Sequence, residues 1–133
     1  MIRAELTRAQ NGELHSCIIR GHAGFAPKGK DIVCAAVSIL ARTALDVLHE
    51  HGGLELKTDS AERGMLSFTV RRKARSSPDP QSTRNDGELS ALLSYTADFL
   101  QKGFDSLQKE YPAYVSAEFV LADEKDIQLT GGI

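Results

Sequence analysis

The 133-residue chain has no tryptophan, only two cysteines, four prolines and 6% aromatic residues, and each scarcity closes off a class of protein. Two cysteines, Cys17 and Cys34, cannot build the disulfide framework of a small secreted domain, so a reducing, cytoplasmic setting with both thiols reduced is expected. No apolar run approaches the length of a membrane span, and no membrane partner is expected. The stretch Met1-Ile2-Arg3-Ala4-Glu5-Leu6 alternates charged and apolar residues and has none of the apolar run of a signal peptide. Neither sign of charge prevails: 16 Lys and Arg stand against 18 Asp and Glu, a net charge of -2. That balance makes no general electrostatic case for nucleic acid.

What is present suffices for one domain, residues 1–133, with no internal repeat. A chain of this size hides roughly two-thirds of the surface that its unfolded form exposes. With 41% hydrophobic residues it holds a core without staples.

Residues 2–7 alternate Ile2, Ala4 and Leu6 with Arg3, Glu5 and Thr7, the period of a half-buried strand. Asn11-Gly12 then signals a hairpin. A second strand over about 13–21 pairs antiparallel with the first, and its consecutive Ile18 and Ile19 predict a central position buried on both faces. The period changes after Asp31, where Val33, Val37, Leu40, Ala44, Val47 and Leu48 predict a helix over about 32–50. Asp31 is its natural N-cap and Gly52-Gly53 its stop. Strands return at 54–57 and 65–71. From Arg71 to about residue 86, five basic residues and two prolines without periodicity predict a mobile loop. A second helix is expected from Asp86 or Gly87 to about Lys109, with Leu89, Leu92, Leu93, Thr96, Phe99, Leu100, Phe104 and Leu107 in its stripe. A last strand follows over about 114–121, then a polar, frayed tail from Ala122. The fold class is α/β of the α+β type: order β-β-α-β-α-β, a mixed sheet with two long helices packed on one face.

Chemistry concentrates in Gly21-His22-Ala23-Gly24-Phe25-Ala26-Pro27-Lys28-Gly29-Lys30-Asp31-Ile32-Val33-Cys34-Ala35-Ala36-Val37-Ser38. With Asp31 as cap, Cys34 is the third helical residue, where backbone N–H groups lack intrahelical partners and the helix dipole is positive. That environment favours a thiolate, the form that attacks a carbonyl, and the same N–H groups are suited to hold an oxyanion. His22 ends the second strand; if that strand lies beside the helix, its imidazole serves as base and then as acid. A plainer reading stays open, because a small buried cysteine at a helix start needs no function. Asp31 either caps the helix or steadies His22. Ser38, one turn beyond Cys34, either lines the site or bonds its own backbone. Gly21, Gly24 and Gly29 let the intervening loop bend and Phe25 gives it an apolar side chain, the features of a lid over substrate.

The run GHAGFAPKGKDIVCAAVS, after its two-strand lead-in, closely resembles the ribosomal-processing cysteine proteases called Prp. The resemblance is specific over residues 21–38, and the element order extends it over nearly the whole chain. It implies Cys34 as nucleophile and His22 as general base. It also implies a homodimer that removes the N-terminal extension of large-subunit ribosomal protein twenty-seven during bacterial ribosome assembly. A non-catalytic module that contacts ribosomal RNA or assists assembly is the alternative.

Other patterns are weaker. Gly24-x-x-x-x-Gly29-Lys30 resembles a phosphate loop, but Asp31 stands where the magnesium-holding hydroxyl belongs and repels phosphate. His15, Cys17, His22 and Cys34 make a poor zinc set, lacking any Cys-x-x-Cys pair. No metal or cofactor is expected. The basic run at 71–75 is more simply a solvated loop than an RNA contact.

Overall fold

The computed structural model describes residues 1–21, 31–60, 65–73 and 80–122, without the side chains of 80–85. Its elements are β1 (Ile2–Arg8), β2 (Leu14–Arg20), α1 (Ile32–His49), β3 (Leu54–Asp59), β4 (Met65–Arg72), α2 (Pro80–Glu110) and β5 (Val115–Leu121). The strands form one sheet in the order β3-β4-β2-β1-β5. Neighbours run antiparallel except β1 and β5, which are parallel.

The first hairpin closes at Asn11-Gly12, where Gly12 takes a φ of 92° and its N–H donates to Ala9 O at 2.9 Å. β2 is the central strand, as its double isoleucine predicts. Ile19 is buried toward the helices, whereas Ile18, opposite Glu5 and Ser67, is only half-buried on the other face. Both helices lie on one face of the sheet. Val33, Val37, Ala41, Ala44 and Leu48 of α1 join Leu89, Leu93, Ala97, Leu100 and Phe104 of α2 in one core with Ile2, Ala4, Leu6, Cys17, Phe68 and Val70 of the strands. Each fully buried large side chain here contributes about 1.5–3 kcal/mol. Ala41 and Ala97 occupy core positions, while Val47 and Phe99 are 45% and 50% exposed rather than in the expected stripes. Each alanine sits four residues after one stripe member and three before the next, and its small side chain lets the helix approach the sheet closely.

The expected loop over 71–86 is shorter in the structure. Arg71 and Arg72 belong to β4, held by Glu55 at 2.7 Å and by a bidentate contact of Arg72 with Glu13 at 2.7 and 3.1 Å. α2 starts at Pro80, not near residue 86. Proline suits a first helical position, where its missing N–H has no partner to lose and its fixed φ is already helical. The apolar stripe begins only at Leu89, so the polar first turns carry no periodic signal. The mobility expected of 74–79 falls outside the described residues. At the other end, Ala122 is buried rather than frayed. Its N–H donates to Arg8 O at 2.7 Å and its carbonyl accepts from Gln10 at 3.1 Å; residues 123–133 lie outside the description.

One exclusion also needs correcting. Ile32–His49 is, by length and mean hydropathy alone, a helix apolar enough to cross a membrane. Its Val33-Val37-Ala41-Ala44-Leu48 stripe is packed in the core, whereas Ile32, Ile39 and Val47 are exposed.

Candidate active site

The site is built from the start of α1. Asp31 has extended backbone (φ -82°, ψ 99°), and its Oδ1 accepts the N–H groups of Val33 and Cys34, each at 3.0 Å. Its carbonyl takes the first helical bond, from Ala35 N at 3.1 Å. Asp31 is therefore the N-cap. The geometry also overturns one expectation: the Cys34 N–H is occupied by this carboxylate and is not aimed at an oxyanion. The cap sets a negative charge beside the thiol as well, working against the positive helix terminus.

Val33 and Val37 point into the core, which leaves Cys34 half-buried at the surface of the helix. It opens on a cleft of about 220 Å³. Cys34, Ser38 and Arg42, spaced by one turn each, line its helical side. Ile2, Ile19 and Leu66 supply apolar wall from three adjacent strands, with Val37, Met65 and Gly21 completing it. The structure thus brings Cys34, Ser38 and Gly21 together and gives Ser38 a position on the site. Gly21 has a φ of 94°, and a Cβ there would run into the carbonyl oxygen of Met1. Its place where β2 ends beside the start of β1 requires glycine. His22, Gly24, Phe25 and Gly29 lie outside the described residues.

The second thiol differs in kind. Cys17 is 1% exposed between Leu6 and Phe68 on the adjoining strands, and burial pushes its pKa up to about 12. It is a core side chain with no access to substrate or metal. Burial likewise holds the half-buried His15 below the ordinary histidine value, favouring its neutral form. Among the described residues no three His, Cys, Asp or Glu side chains are grouped to hold a metal ion.

Arg42 is the site residue that sequence reasoning missed. The signal was available: it is the one charged residue between Asp31 and Asp46, eight residues after Cys34 on the same helical line.

A family profile described as cysteine protease Prp matches residues 1–116. The ribosomal processing cysteine protease Prp of Bacillus subtilis is 34% identical over 64 residues, a stretch covering 48% of this chain and 57% of that relative. Among solved structures, an essential ribosomal processing protease Prp from S. aureus, in complex with a covalently linked product peptide, superposes with a TM-score of 0.64. It is 21% identical, and the match covers 90% of this chain and 99% of that one. A Streptococcus mutans protein gives a TM-score of 0.60 at 26% identity, covering 92% and 96%. At such identities the S. aureus structure speaks for the fold.

Proposed function

The chain belongs to the cysteine protease Prp family, and on that footing we propose that it is a cysteine endopeptidase with Cys34 as nucleophile and His22 as general base. The observation that carries the reading is the position of Cys34: a half-buried thiol at a capped helix start, opening on a cleft between the helix and the sheet. His22 takes the thiol proton as Sγ attacks the scissile carbonyl carbon, and the imidazolium then protonates the departing amine. Water, activated by the same imidazole, hydrolyses the thioester and restores the thiol. Asp31 supports the dyad by starting the helix that holds Cys34, and Ser38 lines the cleft. Gly21, Gly24, Phe25 and Gly29 belong to the segment that admits and covers substrate.

The substrate in this reading is the N-terminal extension of large-subunit ribosomal protein twenty-seven, bound stretched out as a strand-like peptide. The chain acts in the cytoplasm as a homodimer. The exposed face of α2, where Tyr95 is 73% and Phe99 50% exposed one turn apart, is a contact suited to that dimer. Purified chain is incubated under reducing conditions with the organism's own ribosomal precursor, beside Cys34→Ala, Cys34→Ser and His22→Ala. Shortening of the precursor by wild type and by none of the variants is expected. An intact precursor, or equal cutting by a Cys34 variant, overturns the assignment and favours a non-catalytic assembly module.

A further inference from the structure

We propose that α1 carries a second packing seam on its outer side and that a second copy of this chain covers it, the two α1 helices meeting antiparallel about Ile39. This rests on the homodimer reading and assigns its contact to the helix that holds Cys34.

The helix is apolar on two sides. Val33, Val37, Ala41, Ala44 and Leu48 face the core, and about a third of a turn round the helix runs a second line of Ile32, Ala36, Ile39, Thr43 and Val47. Steps of four, three, four and four residues are those of a helix–helix seam. Ile32 and Ile39 are 57% and 61% exposed, more than Val47. Apolar side chains scattered singly over a surface need no explanation, but here they share one line about 22 Å long. A helix with two apolar sides needs two partners, and the core supplies one. The neighbouring helix widens the patch. A Cβ on Gly103 would meet Leu40 and one on Gly53 would meet Leu89, so α1 and α2 run antiparallel side by side, with Val47 opposite the turn that exposes Tyr95 and Phe99.

The order of side-chain sizes identifies the partner. Read from either end, the line is large, small, large, small, large. A two-fold axis at Ile39 sets Ile32 on Val47 of the second copy, Ala36 on its Thr43 and Ile39 on its own counterpart. Such self-complementarity is what a contact between identical surfaces requires, and an unrelated protein would not demand it. The seam starts one residue after the cap Asp31 and two before Cys34, so the second copy packs on the turn that carries the thiol. Cys34 lies about 200° round the helix from Ile32, and each cleft therefore stays open in the dimer.

The test uses the full chain in sedimentation velocity across micromolar concentrations. The wild type is expected to dimerise. Ile39→Glu, which sets two carboxylates against each other at the axis, is expected to weaken the dimer about a hundredfold with the circular dichroism of the fold kept. In a Cys34→Ser background, Ile39→Cys is expected to cross-link to itself under mild oxidation, whereas Ile32→Cys and Val47→Cys link only when the two chains are mixed; Cys17, being buried, takes no part. A wild-type dimer that survives Ile39→Glu, or that yields to Tyr95→Ser with Phe99→Ser but not to Ile39→Glu, overturns the seam and keeps the homodimer. A wild-type monomer overturns both. Self-linking of Ile32→Cys refutes the antiparallel register.

Discussion

Asp31 holds Cys34 through a backbone hydrogen bond of 3.0 Å, so the residue that begins the helix also sets the charge beside the thiol. Structure and reactivity are coupled here, and two substitutions separate them. Asparagine keeps an acceptor for the helix N–H groups and removes the charge; alanine removes both. Asp31→Asn is expected to shift the pH midpoint of Cys34 alkylation downward with little loss of stability. Asp31→Ala should cost about 1 kcal/mol in chemical denaturation. Iodoacetamide rates against pH, beside urea titrations, read both outcomes.

The two cysteines should behave as different chemical species. Burial raises the Cys17 thiol to about 12, whereas Cys34 is half-buried at the cleft. Native protein at pH 8 should therefore take up one equivalent of iodoacetamide, and none once Cys34→Ser is introduced. Cys17→Ala should keep cleavage while losing about 1 kcal/mol of stability for the small cavity it leaves. Mass spectrometry of the labelled chain supplies the count.

Acid should weaken the hairpin end of the sheet. Glu13 is 7% exposed, and burial raises its pKa, but hydrogen bonds from Ser90 and Arg72, the charge of Arg72 and a hydrogen bond with Asn11 together hold the carboxyl below its ordinary 4.5. The folded value lies below the unfolded one, so this stabilisation is complete above about 4.5 and is lost as pH falls through the folded pKa. Arg72→Ala should cost about 2 kcal/mol at pH 7, because it leaves a nearly buried carboxylate without its charged partner. Denaturation midpoints between pH 3 and 7, compared with Glu13→Gln, follow the effect; an unchanged acid slope in Glu13→Gln counts against it.

His15 contributes in a higher range. Burial lowers its folded pKa, so the unfolded chain binds more protons as pH drops below about 6.5, and stability declines across the interval from there to the folded value. His15→Gln should flatten thermal stability in that interval and leave it unaltered at pH 8.

Gly21→Ala should both destabilise the fold and reduce turnover. The new Cβ meets backbone at Met1, which cannot rotate away as a side chain would, and the positive φ adds about 1 kcal/mol of strain. A melting temperature as high as wild type would refute the close approach.

Much of this architecture was legible because its signals are periodic. The alternation of Ile2, Ala4 and Leu6 and the recurrence of Val33, Val37, Ala44 and Leu48 report a side chain's burial through its spacing, whereas the paired isoleucines marked the central strand but not the half-buried state of Ile18. The polar turns from Pro80 to Glu88 have no apolar partner below them, so their helicity left no mark in that pattern. Asp31 as cap was readable from residue type and position alone. Its occupation of the Cys34 N–H was not, since an expected cap and an expected oxyanion site compete for one donor and only geometry decides between them. Arg42 stands out in the sequence as a lone charge on an apolar helix, but its place at the cleft depends on the three strands beside that face, and it stays exposed there.

The parallel pairing of Ile2 with Val115 has a kinetic consequence. β1 can meet β2 early through a short hairpin, but its other edge waits for β5, the last strand described. Ile2 is also part of the cleft at Cys34. During synthesis the wall of that cleft stays half-assembled until β5 has emerged and docked, because such a distant contact must meet the entropy of closing a long loop before it is rewarded. Formation of the cleft is thereby tied to completion of the sheet, and a nascent chain carries Cys34 well before it carries the wall that faces it.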